Sequence, residues 1–210
     1  MKIEAPFFVP FITEDCGFFD EIKEDLINDI MMIHKKDPYK IQGNFPDGID
    51  IKNNLTESNS NFLKLDTLAI NKLKSWILEK LVEAYALIKI KGKEVVITES
   101  WFHVTKKNGY HNFHTHPDTP LGGIFYIENG GSDKGNQWIN PIHGYSHRIS
   151  DLWCQQSYES KFIQGRLILF PGWVLHSAQP HVGDKNRILI AFNSTPILHK
   201  EQVIRLSEKN

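Results

Sequence analysis

The chain has 210 residues, of which 40 % are apolar and 23 % are charged, and its 24 basic and 25 acidic residues give a formal charge of -1. This balance is typical of a globular domain with a substantial core, and the lack of a basic excess argues against a nucleic-acid partner. Two cysteines, Cys16 and Cys154, are too few for a disulfide scaffold and fit a reducing compartment.

The chain starts with an apolar segment that is interrupted by Glu4, Pro6 and Pro10. This segment lacks the basic region and the unbroken apolar stretch of a signal peptide. No apolar run approaches the roughly 18 residues that are needed to span a membrane. We therefore expect a cytoplasmic protein without a membrane segment, folded as one domain over residues 1–210.

Two amphipathic helices are predicted in the first half of the chain, at about Asp15–Lys36 and about Asp66–Lys89. In each, apolar residues recur at steps of three and four, which places them on one face of a helix. The stripes consist of Phe18, Ile22, Leu26, Ile30 and Ile33, and of Ala69, Leu73, Trp76, Ile77, Leu81, Ala84 and Ile88. The segment between them, residues 39–61, is rich in Gly, Pro, Asn and Asp and is predicted to be a long loop.

From Glu94 onward the pattern is that of short strands. In the first of them, Val95, Ile97, Glu99, Trp101 and His103 are expected to share one face. Further strands are predicted at Leu121–Glu128, Asn136–Asn140, Lys161–Ile163, Gly165–Phe170 and Arg187–Asn193, separated by Gly, Asn and Pro turns. The sequence thus predicts a mainly β fold of the jelly-roll type, with residues 1–92 as a helical part packed on a β core at residues 93–200.

A cluster of histidines carries the densest chemistry in the sequence. His114 and His116 are two residues apart, so on a strand both side chains project from one face and could bind one metal ion. His116 and Asp118 form an alternative pair with the same spacing. A third ligand is His176, which an apolar strand and a Pro-Gly turn deliver. Three such ligands on one side of a metal leave positions open for a cofactor and oxygen, as in non-haem Fe(II) oxygenases.

One arginine on the last predicted strand strengthens this interpretation. Arg187 lies in an otherwise apolar run, so it requires an anionic partner if its side chain points inward. Arginine binds carboxylates in a bidentate manner. The pattern therefore predicts that a metal binds one end of a dicarboxylate and that Arg187 binds the other end.

His181 and His199 are predicted to be ordinary surface histidines.

Four sequence blocks resemble the 2-oxoglutarate and Fe(II)-dependent oxygenases of the double-stranded β-helix type, in particular a group found in bacteria and phages. The blocks are His114-Thr115-His116-Pro117, Gly122-Gly123-Ile124-Phe125-Tyr126, the segment from Gly165 to His176, and the segment from Arg187 to Asn193. The similarity runs from about Trp101 to Asn193, and the order of the blocks is more specific than any single one. The departures are Gly122, Phe125 and Ala191, where the group usually has Ser, Tyr and Ser.

The resemblance implies a double-stranded β-helix core and an enzyme that uses Fe(II), 2-oxoglutarate and O2. The cosubstrate would be converted to succinate and CO2 while a C–H bond of the substrate is hydroxylated or otherwise oxidised. It also implies that His114, His116 and His176 bind the metal, that Arg187 binds the C5 carboxylate of 2-oxoglutarate, and that Tyr126 donates a hydrogen bond to the same end.

The second metal ligand remains open at this point, because most such oxygenases have a His-x-Asp pattern where this chain has His-x-His. The set of His116, Asp118 and His176 restores a carboxylate but puts Pro117 within the metal-binding strand, where proline removes a hydrogen bond.

Two other functions compete with the oxygenase. One is a cupin-like metal enzyme that does not use 2-oxoglutarate, and the other is a jelly-roll binding protein without catalysis. The expected substrate is a small molecule or a peptide, and the sequence predicts no particular oligomeric state.

Overall fold

The computed structural model of the protein describes residues 9–36, 54–58, 61–90, 94–141 and 156–197. In these ranges the helices are α1 (Phe19–Lys36) and α2 (Leu68–Leu87). The strands are β1 (Ile12–Asp15), β2 (Leu55–Glu57), β3 (Glu94–Thr105), β4 (His111–His114), β5 (Leu121–Glu128), β6 (Lys134–Ile139), β7 (Ser157–Lys161), β8 (Arg166–Pro171), β9 (His176–Ala178) and β10 (Arg187–Ile197). Cys154, His199 and most of the predicted loop at residues 39–61 lie outside the described residues.

The strands form two antiparallel sheets that pack against each other. The larger sheet has the order β1-β8-β5-β10-β3-β2, and the smaller has the order β4-β9-β6-β7. Among the described strands, six of the eight neighbouring pairs join strands that are not consecutive in the sequence, as expected for a jelly roll rather than a meander. The predicted class, a mainly β jelly roll flanked by two α-helices, is confirmed.

Each face of the larger sheet has its own apolar core. The outer face packs against both helices through Phe102, Val104, Ile188, Ile190 and Phe192, which meet the buried stripes of α1 and α2. The inner face packs against the smaller sheet, and the buried residues there are Ile124, Tyr126, Trp138, Phe162, Ile168, Phe170, Val174, Leu189 and Ala191. The helices therefore support one side of the sheet and leave the other side free for the functional groups.

Strand β3 departs from simple alternation, which overturns one prediction. Its pairing with β10 shifts between Asn193 and Ser194, so that Glu99 pairs with Asn193 whereas Ile97 pairs with Ser194. A bulge of this kind inserts an extra residue and reverses the direction of the side chains beyond it. Val95 and Ile97 consequently pack against the helix-side core, and the prediction that they share a face with Trp101 is wrong.

The residues before position 93 contribute strands as well as helices. Strand β1 pairs with β8 at one edge of the larger sheet, and β2 pairs with β3 at the other edge. Strand β2 lies within the segment that was predicted to be a loop, and it places Glu57 opposite His103 of β3. No helix in the described ranges has the length and apolar character that crossing a membrane requires.

Helix α2 has a defined start that also links it to α1. The Thr67 hydroxyl accepts a hydrogen bond from the Ile70 amide at 3.3 Å and donates one to Asp29 of α1 at 2.8 Å. Replacing Thr67 by alanine should lower the free energy of unfolding by about 1–2 kcal/mol, because an N-cap and a helix–helix hydrogen bond are both lost.

Chemical denaturation of Thr67→Ala measures this loss. Ser75→Ala, at an exposed position inside α2, is the matched control and should change stability little. Equal losses in the two variants would show that Thr67 has no capping role.

Candidate metal centre and active site

Three histidines converge at the inner surface of the smaller sheet. His114 ends β4 and lies directly opposite His176 of β9, so the sheet register brings the two rings together. The chain turns after β4, and the His116 amide donates a hydrogen bond to the Gly172 carbonyl at 2.7 Å, which holds His116 beside them. One nitrogen of each ring lies within 4.8 Å of the corresponding nitrogens of the others. We call these residues the histidine triad.

Backbone hydrogen bonds orient two members of the triad for metal binding. The Nδ1 of His114 lies 2.8 Å from the Asn112 carbonyl, and the Nδ1 of His176 lies 2.8 Å from the Val174 carbonyl. A carbonyl only accepts, so each Nδ1 carries the proton and each Nε2 presents its lone pair. This is the arrangement that metal-binding histidines generally adopt.

Burial keeps the triad neutral. Desolvation, reinforced by the other histidines nearby, lowers the pKa of His114 to about 2 and that of His176 to about 4. Desolvation also lowers the pKa of His116, although Glu57 and Glu99 oppose that shift. Three neutral imidazoles are a suitable donor set for iron, so the residues present fit a divalent ion of this kind.

Asp118 lies in the turn after Pro117, and its side chain is exposed. Among the described residues, the structure does not bring Asp118 into a three-ligand group, whereas it does so for His114, His116 and His176. The two ligand sets predicted from the sequence therefore differ in geometry, and only the three-histidine set is assembled.

Arg187 lies at the start of β10 and is buried, with 1 % of its surface exposed. Its Nη1 donates a long hydrogen bond of 3.4 Å to the Lys134 carbonyl, while Nε and Nη2 have no hydrogen-bond partner among the described residues. Burial lowers its pKa to about 10, although the nearby Tyr126 acts in the opposite direction. A buried guanidinium with free donors is costly, and a bound carboxylate would satisfy it. The residue thus fits a dicarboxylate cosubstrate.

Tyr126 is fully buried near Arg187, but its hydroxyl is already engaged. It donates to the Asn136 side chain at 2.8 Å, lies 2.7 Å from the Ser160 hydroxyl and accepts from the Asn136 amide at 3.1 Å. Burial raises the pKa of Tyr126 to about 12, so the hydroxyl keeps its proton. A hydrogen bond from Tyr126 to a bound carboxylate would therefore replace the one to Asn136.

Strand β10 connects these features along one face. Arg187, Leu189, Ala191 and Asn193 alternate on the inner side, so that the arginine lies at one end and the asparagine at the other. Leu189 and Ala191 line a cavity of about 20 Å³ that also touches the triad. This volume holds about one water molecule, so the site must widen to admit a dicarboxylate between the triad and Arg187.

A second group with metal-binding chemistry, which the sequence analysis missed, adjoins the triad. Glu57, His103 and His111 also offer ligand atoms within 4.8 Å of one another. In this group, His103 Nε2 lies 2.8 Å from Glu57 Oε2 and 3.1 Å from Trp101 Nε1, so that nitrogen already has polar partners. Burial raises the pKa of Glu57, but the hydrogen bond with His103 and the charges of the neighbouring histidines outweigh this and lower it.

A larger cavity of about 350 Å³ also borders the triad and shares Trp101, His111, His114 and His116 with the smaller one. We call it the outer cavity. Its lining consists of Glu57, Ser58, Glu99, Trp101, His111, His114, His116 and Asn193. The histidine triad thus borders both a small cavity with mainly apolar walls and a larger cavity bordered by carboxylates.

The lowered pKa values predict how the metal-free protein responds to acid. Desolvation lowers the pKa values of His114, His111 and His176 to about 2, 4 and 4, below the pKa of about 6.5 in an unfolded chain. Between about pH 6.5 and 4 the unfolded state therefore binds more protons, by up to roughly three, and the free energy of unfolding falls as pH falls. The lowered pKa of Glu57 adds a loss in the same direction below about pH 4.5.

Urea unfolding of the metal-free protein at pH 7.5 and at pH 5 tests this expectation, with the slope of stability against pH giving the number of protons. Stability should be nearly constant above about pH 7.5 and should fall steeply below about pH 6.5. A flat profile through this window would mean that the histidines take up protons as readily in the folded protein as in the unfolded chain.

Comparison with known proteins agrees with this geometry. Residues 99–193 match the model of a family described as "Putative 2OG-Fe(II) oxygenase". A search of curated protein sequences gave no match.

Several solved structures have a similar fold. A prolyl-4-hydroxylase from Pseudomonas putida has a TM-score of 0.59 and 9 % identity, with 87 % of this chain and 91 % of that chain covered. HygX from Streptomyces hygroscopicus, with nickel and 2-oxoglutarate bound, has a TM-score of 0.60 and 11 % identity, with 90 % and 83 % covered. A prolyl hydroxylase from Trichoplax adhaerens, in complex with a peptide of hypoxia inducible factor, has a TM-score of 0.56 and 11 % identity, with 87 % and 83 % covered.

The family match covers the strands that carry the triad and Arg187, and the fold is that of double-stranded β-helix oxygenases. The resemblance inferred from the four sequence blocks is confirmed by the family match, and the family is one of oxygenases that use Fe(II), 2-oxoglutarate and O2. Over residues 99–193, the chain matches the 2OG-Fe(II) oxygenase family.

Proposed function

We propose that His114, His116 and His176 bind the Fe(II) of this oxygenase and that Arg187 binds the C5 carboxylate of 2-oxoglutarate. The enzyme then oxidises a C–H bond of a small molecule or a peptide. The observation that carries the proposal is the state of Arg187, a buried cation whose Nε and Nη2 lack hydrogen-bond partners among the described residues. A bidentate carboxylate satisfies both atoms.

The same observation separates the proposal from its competitors. A cupin-like enzyme that does not use 2-oxoglutarate would explain the histidine triad but gives Arg187 no function. A binding protein without catalysis would gain stability by replacing this arginine with an apolar residue, because a buried unpaired charge is unfavourable. Retaining the charge at this position is understandable if an anion binds there.

The triad is also a better iron site than the neighbouring group of Glu57, His103 and His111. In that group, the Nε2 of His103 is shared between Glu57 and Trp101. In the triad, hydrogen bonds to carbonyls engage the Nδ1 atoms of His114 and His176, which leaves their Nε2 atoms available. We therefore assign the iron to the triad and treat Glu57 and His103 as a hydrogen-bonded pair beside it.

The side chains around the triad position the reactants and exclude water. His114, His116 and His176 hold one side of the metal, while Arg187 fixes the distant end of the cosubstrate. The small cavity beside the triad has apolar walls, which are formed by Ile124, Phe170, Leu189 and Ala191. Bound Fe(II) and 2-oxoglutarate supply the oxidising chemistry with O2, and the cosubstrate leaves as succinate and CO2.

We also propose a cellular compartment and a domain organisation for the enzyme. With two cysteines and no basic excess, the composition supports a cytoplasmic enzyme whose substrate is not a nucleic acid. The pairing of β1 and β2 with the core strands supports a single domain over residues 1–210, in which residues 1–92 support the oxygenase core at 93–200.

Succinate formation tests the proposal. Anaerobically purified, Fe(II)-loaded protein is given 2-oxoglutarate and then oxygen, and succinate is measured in the wild type and in Arg187→Ala. We expect slow turnover without substrate in the wild type and none in the variant. If the Fe(II) protein neither formed succinate nor bound 2-oxoglutarate by calorimetry, the cupin-like enzyme or the binding protein would replace this assignment.

A further inference from the structure

The outer cavity is the natural position for the substrate, because the triad forms part of its wall. His111, His114 and His116 border it on one side, and Glu99 and Trp101 of β3 border it on another. Its volume of about 350 Å³ is at the lower end of the range for small-molecule sites. A molecule of modest size, or one side chain of a larger one, would fill it.

The polar groups that face this cavity from outside the triad are mainly hydrogen-bond acceptors. Glu57 and Glu99 contribute carboxylates, and Asn193 contributes its Oδ1. Asn193 is 93 % buried, and its Oδ1 has no hydrogen-bond partner among the described residues, whereas its Nδ2 donates to Glu99 at 3.0 Å. An unpaired buried acceptor is unfavourable unless a ligand donates to it.

The charges point to the same kind of ligand. In the part of the chain that the structure describes, no lysine or arginine lines the cavity or forms an ion pair with Glu57 or Glu99. On the proposed function, the dianion of 2-oxoglutarate balances the charge of Fe(II), and Arg187 adds one positive charge. Against this, Glu57 and Glu99 leave the site with a net negative charge, which a cationic ligand would compensate.

An aromatic side chain completes the recognition surface. The Trp101 ring lies parallel to the His116 ring, with centroids 5.7 Å apart, and both residues line the outer cavity. The face of an indole attracts ammonium and guanidinium groups and also packs against their alkyl stems. Trp101 thus suits a cation that is carried on an apolar chain.

We propose that the outer cavity binds an ammonium or guanidinium group of the substrate, through Glu57, Glu99 and the side-chain Oδ1 of Asn193, and that the enzyme oxidises an amine- or guanidine-bearing molecule. The inference rests on the proposed function for the position of the cavity beside the iron. It adds a substrate class that the family membership does not specify.

Three probes of equal chain length test this inference: 1-pentylammonium, 1-pentanol and pentanoate. Their dissociation constants are measured by calorimetry with the full chain, both metal-free and loaded anaerobically with Fe(II) and 2-oxoglutarate. We expect the cation to bind at least about tenfold more tightly than the alcohol in both states. In the loaded protein, where 2-oxoglutarate occupies Arg187, the anion should bind more weakly than the alcohol. Raising the ionic strength should reduce the preference for the cation.

Two variants locate the binding. Glu99→Gln should weaken 1-pentylammonium by about fivefold and leave 1-pentanol unchanged, since it removes a charge and little volume. Glu94→Gln, at the exposed far end of the same strand, removes an equal charge outside the cavity and should have no effect.

The outcomes separate this inference from the proposed function. If the three probes bind alike, or if Glu99→Gln leaves the cation unaffected, the inference is wrong, even where Fe(II) and 2-oxoglutarate bind normally. If the cation binds selectively and Glu99→Gln reduces the preference by about fivefold, the inference holds for the cavity. It then holds even where the same protein fails to bind Fe(II) or 2-oxoglutarate, which would overturn the proposed function alone.

Discussion

Replacing Arg187 by methionine should stabilise the metal-free protein while abolishing its binding of 2-oxoglutarate. The methionine fills similar space but removes a buried charge whose Nε and Nη2 have no partner among the described residues. The gain in the free energy of unfolding should be roughly 1–3 kcal/mol. Affinity for 2-oxoglutarate should fall by roughly a hundredfold or more, because the carboxylate loses its partner.

Urea unfolding and calorimetric titration with 2-oxoglutarate measure the two effects in the same variant. Arg166→Met is the matched control, because Arg166 pairs with Asp15 through Nε and Nη2 at 2.7 Å on the exposed side of the fold. It should lose at most about 1 kcal/mol of stability and keep its affinity for 2-oxoglutarate. A destabilised Arg187→Met protein that still binds 2-oxoglutarate would show that Arg187 serves the fold and not the cosubstrate.

Removing any member of the histidine triad should abolish tight iron binding. His114→Ala, His116→Ala and His176→Ala each remove one of three ligands, and the affinity for Fe(II) should fall more than about a hundredfold. Asp118→Ala should keep wild-type affinity, since the Asp118 side chain is exposed and lies outside the assembled group.

Anaerobic equilibrium dialysis, followed by measurement of the bound iron, compares these variants. His103→Ala is the control for the neighbouring group and should retain most of the iron, although it breaks the 2.8 Å contact with Glu57. Loss of iron in Asp118→Ala together with retention in His114→Ala would favour the set of His116, Asp118 and His176. Loss in His103→Ala alone would move the iron to the group with Glu57.

Where local periodicity and packing agree, the sequence predicts the structure well. Strand β5 was predicted at Leu121–Glu128 and has those bounds, because an apolar run between turn residues leaves little freedom. The two helices were predicted from stripes whose residues are buried or half-buried, although α1 begins at Phe19 and α2 at Leu68, a few residues later than predicted.

Other features depend on tertiary contacts that no local pattern reveals. The bulge in β3 is set by its pairing with β10, so alternation alone put Val95 and Ile97 on the wrong face. Glu57 reaches the site because a short strand in a segment rich in turn residues pairs with β3. His181 was predicted at the surface but is fully buried, with Nε2 lying 2.6 Å from the Lys185 carbonyl, so that prediction is wrong.

The residues of the candidate site also fall into those that the sequence predicted and those that only the structure shows. His114, His116, His176 and Arg187 could be named from the order and spacing of four sequence blocks. Glu99, Trp101 and His103 were expected on one face of a strand, but nothing in the sequence indicated that this face borders the histidines. Asn193 ends the last block, and only the structure shows its unpaired acceptor at the outer cavity.

The most direct test is a crystal structure of the anaerobic Fe(II)–2-oxoglutarate complex, with diffraction recorded on both sides of the iron absorption edge. The iron peak should lie among the side-chain nitrogens of His114, His116 and His176, and the far carboxylate of 2-oxoglutarate should contact Nε and Nη2 of Arg187. An iron peak at Glu57, His103 and His111 would contradict the assignment of iron to the histidine triad. A bound 2-oxoglutarate that leaves Arg187 unpaired would contradict the assignment of the cosubstrate carboxylate to Arg187.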